Sequence, residues 1–161
     1  MEKSIQIAYK LGKTAHNGQK RTGSNSPYFQ HCKNVFKIVS SLKNKEDINL
    51  TDMQIMALLH DTIEDTQVTR EEIEKIFGFK IADGVWALTK NSELSHIDAL
   101  KNSLDKIKEY GKEAAIVKLA DRIDNLKELN PEWNKKTALA YAESSKLIDR
   151  KSTRLNSSHA T

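Results

Sequence analysis

Residues 53–66, M-Q-I-M-A-L-L-H-D-T-I-E-D-T, place His60, Asp61, Glu64 and Asp65 directly behind an apolar run. At about 100° per residue, a helix through this stretch carries His60 and Glu64, and likewise Asp61 and Asp65, on adjoining parts of one face. Ile55, Met56, Leu58 and Leu59 lead straight into His60 and Asp61, so these two belong at the margin of a core. Three carboxylates and an imidazole so close together repel one another unless a positive charge sits among them, and burial raises that cost. A divalent cation answers the repulsion; the competing reading is a solvated acidic helix end.

The remaining pattern is helical throughout. A chain of 161 residues with 38% hydrophobic content suits one domain with a modest core, and 6 Gly, 2 Pro and long periodic segments predict an all-α fold. Ile5, Ala8, Leu11, Gly12 and Ala15 mark a first helix over 3–16, and residues 16–28, H-N-G-Q-K-R-T-G-S-N-S-P-Y, break the pattern as a loop. With Gln19, Lys20, Arg21 and Ser24, that loop is either a phosphate or base contact or a solvated connector. His31 opens a second helix with Val35, Ile38, Val39 and Leu42, facing inward as either a core residue or a ligand. Thr51 with Gln54 reads as a capping box for the central helix, and Thr69 with Glu72 as one for the next. Further helices are predicted over 70–77 with Gly78 as the stop, around Ile81, Val85 and Leu88, over 97–110 and over 112–129. His96 is left on a surface or loop. In the helix over 112–129, Ala115, Ile116, Leu119, Ala120, Ile123, Leu126 and Leu129 form an apolar stripe that Asp121 interrupts. Asp121 therefore needs Lys118, Arg122 or a metal as partner, and it shares a face with Asn125. A last helix is predicted over 134–148, with Trp133 and Tyr141 either lining a cleft or packing in the core.

Bulk properties exclude several classes. The single cysteine, Cys32, allows no internal disulfide and reads as a small buried or half-buried side chain, with a metal-ligand role beside His31 as the lesser alternative. No stretch resembles a membrane span or a secretory signal, which makes the cytoplasm the expected compartment. The formal charge of +4 is spread among 22 acids with no basic and aromatic stripe, so nucleic acid is not an expected partner. Residues 149–159, D-R-K-S-T-R-L-N-S-S-H, resemble the in-frame translation of a common sequencing adaptor. The expected organisation is one domain over 1–148, truncated at its C-terminus, followed by a non-native tail over 149–161. Arg150, Lys151 and Arg154 against Asp149 supply +2 of the charge, leaving the rest of the chain near neutral.

His31, the His60–Asp61 pair and Asp121 make an H…HD…D pattern on three predicted helices. This resembles the HD superfamily of metal-dependent phosphohydrolases. A-H-N-G-Q-K-R and P-Y-F-Q-H (15–31), A-L-L-H-D-T-I-E-D-T (57–66), F-G-F-K-I-A-D-G-V-W-A-L-T-K (77–90) and V-K-L-A-D-R-I-D-N-L (117–126) are similar to the hydrolase domain of the RelA/SpoT family, in particular to the stand-alone small alarmone hydrolases. Glu64 and Asp65 after the histidine-aspartate pair separate this group from generic HD proteins.

The resemblance implies an HD-type helical bundle that hydrolyses the 3′-pyrophosphate of guanosine tetra- or pentaphosphate, the alarmone of the stringent response, with one Mn²⁺. It implies His31, His60, Asp61 and Asp121 as metal ligands, Glu64 and Asp65 as the pair serving the attacking water, and Arg21, Asn125, Trp133 and Tyr141 as substrate-binding residues. The chain departs from the usual family pattern in having Cys32 where proline follows the first histidine, and Thr22 where a second basic residue follows Arg21. Competing readings are a manganese phosphohydrolase for another nucleotide, such as the 2′-phosphate of NADPH, a non-catalytic nucleotide-binding HD domain, or a piece of a longer bifunctional enzyme.

Overall fold

The helix α3 (Leu50–Leu59) buries Met53, Ile55, Met56, Ala57, Leu58 and Leu59, so that every residue from Ile55 on is apolar and buried, and such a helix is stable only when surrounded. In the computed structural model, which describes residues 2–43, 47–127 and Glu143, it is enclosed by α1 (Lys3–Ala15), α2 (Phe29–Ser40), α6 (Phe79–Leu88) and α8 (Lys112–Lys127). The short α4 (Thr62–Asp65) follows α3, α5 (Arg70–Phe77) packs on α6, and α7 (His96–Tyr110) bridges α6 and α8. No strand occurs among the described residues beyond an isolated bridge between Lys20 and Pro27, which pinches the 16–28 loop. The all-α expectation holds. The predicted helix over 134–148, Trp133, Tyr141 and the 149–161 tail lie outside the described residues.

Two glycines allow the close approaches around α3. A Cβ on Gly12 of α1 would stand 2.7 Å from the Leu58 carbonyl and 2.8 Å from the Phe29 ring, and one on Gly84 of α6 would collide with the Met56 sulfur. Each contact therefore requires a residue without a side chain.

Three local expectations need correction. His60, Asp61, Glu64 and Asp65 do not share one helical phase: the central helix ends at Leu59, and Asp61 has φ −103° and ψ 1°, outside helical geometry. Thr51 and Gln54 do not form a capping box. Asn49 caps the helix by accepting the Asp52 amide at 3.0 Å, while Thr51 Oγ1 donates to Glu2 and Gln54 Nε2 to Ser40. In α8 the inward row is Ala114, Val117, Lys118, Asp121 and Asp124 together with Ala120, and Ile123 of the expected apolar stripe is 37% exposed. The physical reason is that this helix turns an ionised row to the interior, where other charges meet it. By contrast, Thr69 and Glu72 form both bonds of their capping box, and Gly78 and Gly111 stop α5 and α7 with φ of 90° and 122°. His96 is exposed, as expected, but begins α7 rather than lying in a loop.

Candidate metal centre

Three helices deliver charged side chains to one point. The first turn of α2 brings His31, the end of α3 brings His60 and Asp61, and α8 brings Asp121. Nitrogen and oxygen atoms of these four residues all lie within 4.8 Å of one another. His31 Nε2 is 2.8 Å from Asp121 Oδ1 and 3.7 Å from Asp61 Oδ2, and His60 Nε2 is 2.9 Å from Asp61 Oδ2 and 3.5 Å from Asp121 Oδ1. The two Nε2 atoms are 3.3 Å apart. Side chains of successive residues on an unbroken helix point about 100° apart, so the break at Asp61 is what lets adjacent His60 and Asp61 converge.

The outer nitrogens determine what the inner ones can do. His60 Nδ1 donates to the Ala57 carbonyl at 2.7 Å, and His31 Nδ1 donates to Asp124 Oδ2 at 2.7 Å. With those protons fixed on Nδ1, both Nε2 lone pairs are directed to the cluster, the arrangement that a ligating histidine needs. Asp61 Oδ2 accepts the Tyr28 hydroxyl at 2.7 Å, and Asp121 Oδ2 accepts the Lys118 ammonium at 3.1 Å. Two imidazoles and two carboxylates suit a divalent transition metal. Their spacings of 2.8 to 3.7 Å are near the ~3 Å edges of a coordination shell with bonds of about 2.1 Å. The residues present fit a divalent cation.

Protons take the place of that charge in the metal-free chain. Burial alone would lower the pKa of both histidines, but the bonds and charges of Asp61, Asp121 and Asp124 outweigh it and raise both. Burial would likewise raise Asp61 and Asp121, yet His60 holds Asp61, and Lys118 with both histidines holds Asp121, below the usual carboxylate range.

Asp124 joins this cluster although the sequence reading did not single it out. It is buried, and it accepts bonds from His31, from Arg21 Nη1 at 2.9 Å and from Asn34 Nδ2 at 3.0 Å. Its spacing from Asp121, i to i+3, put it on the same helix face and was the available signal. Arg21 Nη2 also donates to Asn125 Oδ1 at 3.0 Å, and Asn125 Nδ2 to Asp121 Oδ1 at 3.1 Å. Arg21 and Asn125, predicted as substrate contacts, are thus brought together beside the ligands. Trp133 and Tyr141 lie outside the described residues. Cys32 is fully buried, as expected, with its thiol pushed up to about 12, mainly by burial.

Glu64 and Asp65 sit on α4 at the exposed side of the centre, with carboxylate oxygens of Asp61, Glu64 and Asp65 within 4.8 Å of one another. Glu64 Oε1 accepts the Lys90 amide at 2.6 Å. Burial, then the charges of Asp61 and Glu64, push the Asp65 carboxyl up to about 6. A carboxylate tuned toward neutrality is suited to exchanging a proton with water.

Comparisons with known proteins show what the whole chain is similar to. A family model described as an HD domain matches residues 8–148. A zebrafish (Danio rerio) protein named guanosine-3′,5′-bis(diphosphate) 3′-pyrophosphohydrolase MESH1 is 32% identical over 133 residues, covering 79% of this chain and 71% of the relative. An Aquifex aeolicus protein named guanosine-3′,5′-bis(diphosphate) 3′-pyrophosphohydrolase is 36% identical over 135 residues, covering 78% of this chain but 18% of its own length. Among solved structures, one titled "A metazoan ortholog of SpoT hydrolyzes ppGpp and plays a role in starvation responses" superposes with a TM-score of 0.82 at 25% identity, over 94% of this chain and 86% of that one.

Proposed function

The chain belongs to the HD-domain family, and from that premise we propose that it is a guanosine-3′,5′-bis(diphosphate) 3′-pyrophosphohydrolase using Mn²⁺. The observation that carries this reading is the four-donor cluster with the Glu64–Asp65 turn beside it. The reaction adds water to the phosphorus on O3′ of the ribose and breaks the P–O3′ bond, giving pyrophosphate and GDP or GTP. His31, His60, Asp61 and Asp121 would hold the ion, which would acidify a water and supply counter-charge for the phosphate oxygens.

The remaining roles belong to the chain itself. Asp65 takes the proton of the attacking water, and Glu64, fixed by the Lys90 amide, orients it. Arg21 and Asn125 receive the nucleotide: the guanidinium has five donors, and its bonds to Asp124 and Asn125 pre-aim it at the substrate side of the ligands. Trp133 and Tyr141 complete the proposal as cleft residues, on family resemblance alone. One domain over 1–148 and a cytoplasmic setting belong to the same proposal.

The test is pyrophosphate release from guanosine tetraphosphate by the purified chain with Mn²⁺, with a chelator control and a Glu64→Gln, Asp65→Asn double variant. Release that needs metal and is lost in the variant is the expected result. No release from folded, metal-loaded chain would sink the activity, and NADPH in the same assay tests the competing phosphohydrolase.

A further inference from the structure

His16 ends the first helix and takes no part in the centre described above, yet it is 2% exposed, with its ring 4.9 Å from that of Tyr28. Its Nδ1 is 2.8 Å from Gln19 Oε1, and Gln19 Nε2 donates to the backbone carbonyl of Asp65 at 2.8 Å. A carbonyl only accepts, so the Gln19 amide nitrogen must face Asp65 and its oxygen must face His16. That oxygen also only accepts, so His16 carries its proton on Nδ1. Burial lowers the His16 pKa from its ordinary value, keeping the ring neutral. The other nitrogen, Nε2, is buried with no partner among the described residues, so the ring's polar tie is through Nδ1.

The local chain is shaped for this tie. Gly18 has φ +82°, which a residue with a side chain rarely adopts, and the turn it makes closes with the Gln19 amide bonded to the His16 carbonyl at 3.0 Å. At the other end, α4 is a single turn of four residues, too short to hold its own shape. Among the described residues, Thr62 at its start ties back to the Leu59 carbonyl, while the Glu64 and Asp65 end is held by Lys90 bonding Glu64 and Gln19 bonding the Asp65 carbonyl.

We propose that His16 and Gln19 form a positioning pair for Asp65, fixing through its backbone carbonyl the turn that aims its carboxylate beside Asp61. The pair acts through Asp65 and touches no reacting atom. The proposal rests on the reading of Asp65 as the base.

Three variants test it. Gln19→Met keeps length and loses the donor, His16→Leu loses the Nδ1 proton, and His16→Asn places an amide NH₂ where Nδ1 stood. Gln19→Met and His16→Leu should lower kcat about 10- to 100-fold, the cost of misplacing a catalytic group by an ångström or less. KM and Mn²⁺ affinity by calorimetry should stay within about twofold of the parent. Hydrogen exchange at the Asp65 and Thr66 amides should quicken in both, and His16→Asn should restore kcat and protection. Unchanged kcat or exchange in Gln19→Met would overturn the proposal. So would a fall in Mn²⁺ affinity matching the loss of kcat, or His16→Asn behaving like His16→Leu. If the parent chain releases no pyrophosphate, the activity reading fails by itself, and the exchange measurement still decides whether the pair holds the turn.

Discussion

At His31 and His60 the nitrogen turned away from the cluster matters as much as the one turned toward it. Asp124 binds the far side of His31 while also holding Arg21 and Asn34, so one carboxylate fixes both an imidazole of the cluster and the neighbouring guanidinium. Asp124→Asn should therefore weaken Mn²⁺ binding about 10- to 100-fold in a calorimetric titration, while a substitution at exposed Lys20 leaves it unchanged. Asp65 makes a second prediction, for the metal-free chain. Its folded pKa of about 6 is raised by burial and by Asp61 and Glu64, so its contribution to stability is full below the unfolded pKa of about 3.9 and is lost as pH rises through about 6. Asp65→Asn removes that loss. The variant should match the parent near pH 4 in urea unfolding and exceed it by an increasing margin up to about pH 6.5; a constant gap across that range would refute the assignment.

The elements show how local signals compete. Both Asn49 and Thr51 are acceptable cap residues, and the chain uses Asn49 because helix entry at Leu50 leaves Thr51 already inside the first turn. Asn49→Ala should lower stability by about 1 kcal/mol. Thr51→Ala, which loses only an exposed bond to Glu2, should cost less than about 0.5 kcal/mol in the same denaturant titration. Gly84 makes an element-scale constraint of another kind. Gly84→Val would drive a side chain into Met56 and Tyr110 and separate α6 from α3, at a cost of about 1 to 3 kcal/mol.

For the whole molecule, the centre is a set of buried charges held on three helices that the rest of the core locks together. A cation held here would compete with the protons on His31 and His60 for the same Nε2 atoms. The two folded pKa values are raised, so the stabilisation these protons give is full below about 6.5 and falls as pH rises through the raised values. Metal binding gains over that same interval. Removing the ion with a chelator should thus lower the Tm, and lower it more near pH 8.5 than near pH 6; an equal drop at both would mean that the ion is not held by these imidazoles.

Much of this was legible beforehand because it is local. The helical class follows from residue spacing, the need for a cation at His60 and Asp61 from crowded carboxylates, the addition of His31 and Asp121 from the resemblance of the H…HD…D pattern, and the stops at Gly78 and Gly111 from backbone freedom. What spacing could not supply was direction. It phased His60, Asp61, Glu64 and Asp65 on one helix face and expected an apolar inward face on α8, whereas the packed chain breaks at Asp61 and turns Lys118, Asp121 and Asp124 inward. Periodicity assumes that buried means apolar, and it registers neither a partner charge on another helix nor a bond such as Gln19 to Asp65, 46 residues away. The sequence by itself determined which groups had to be neutralised; only the tertiary structure decided which neighbours do it, because the cost of a buried charge is set by what stands across from it in space.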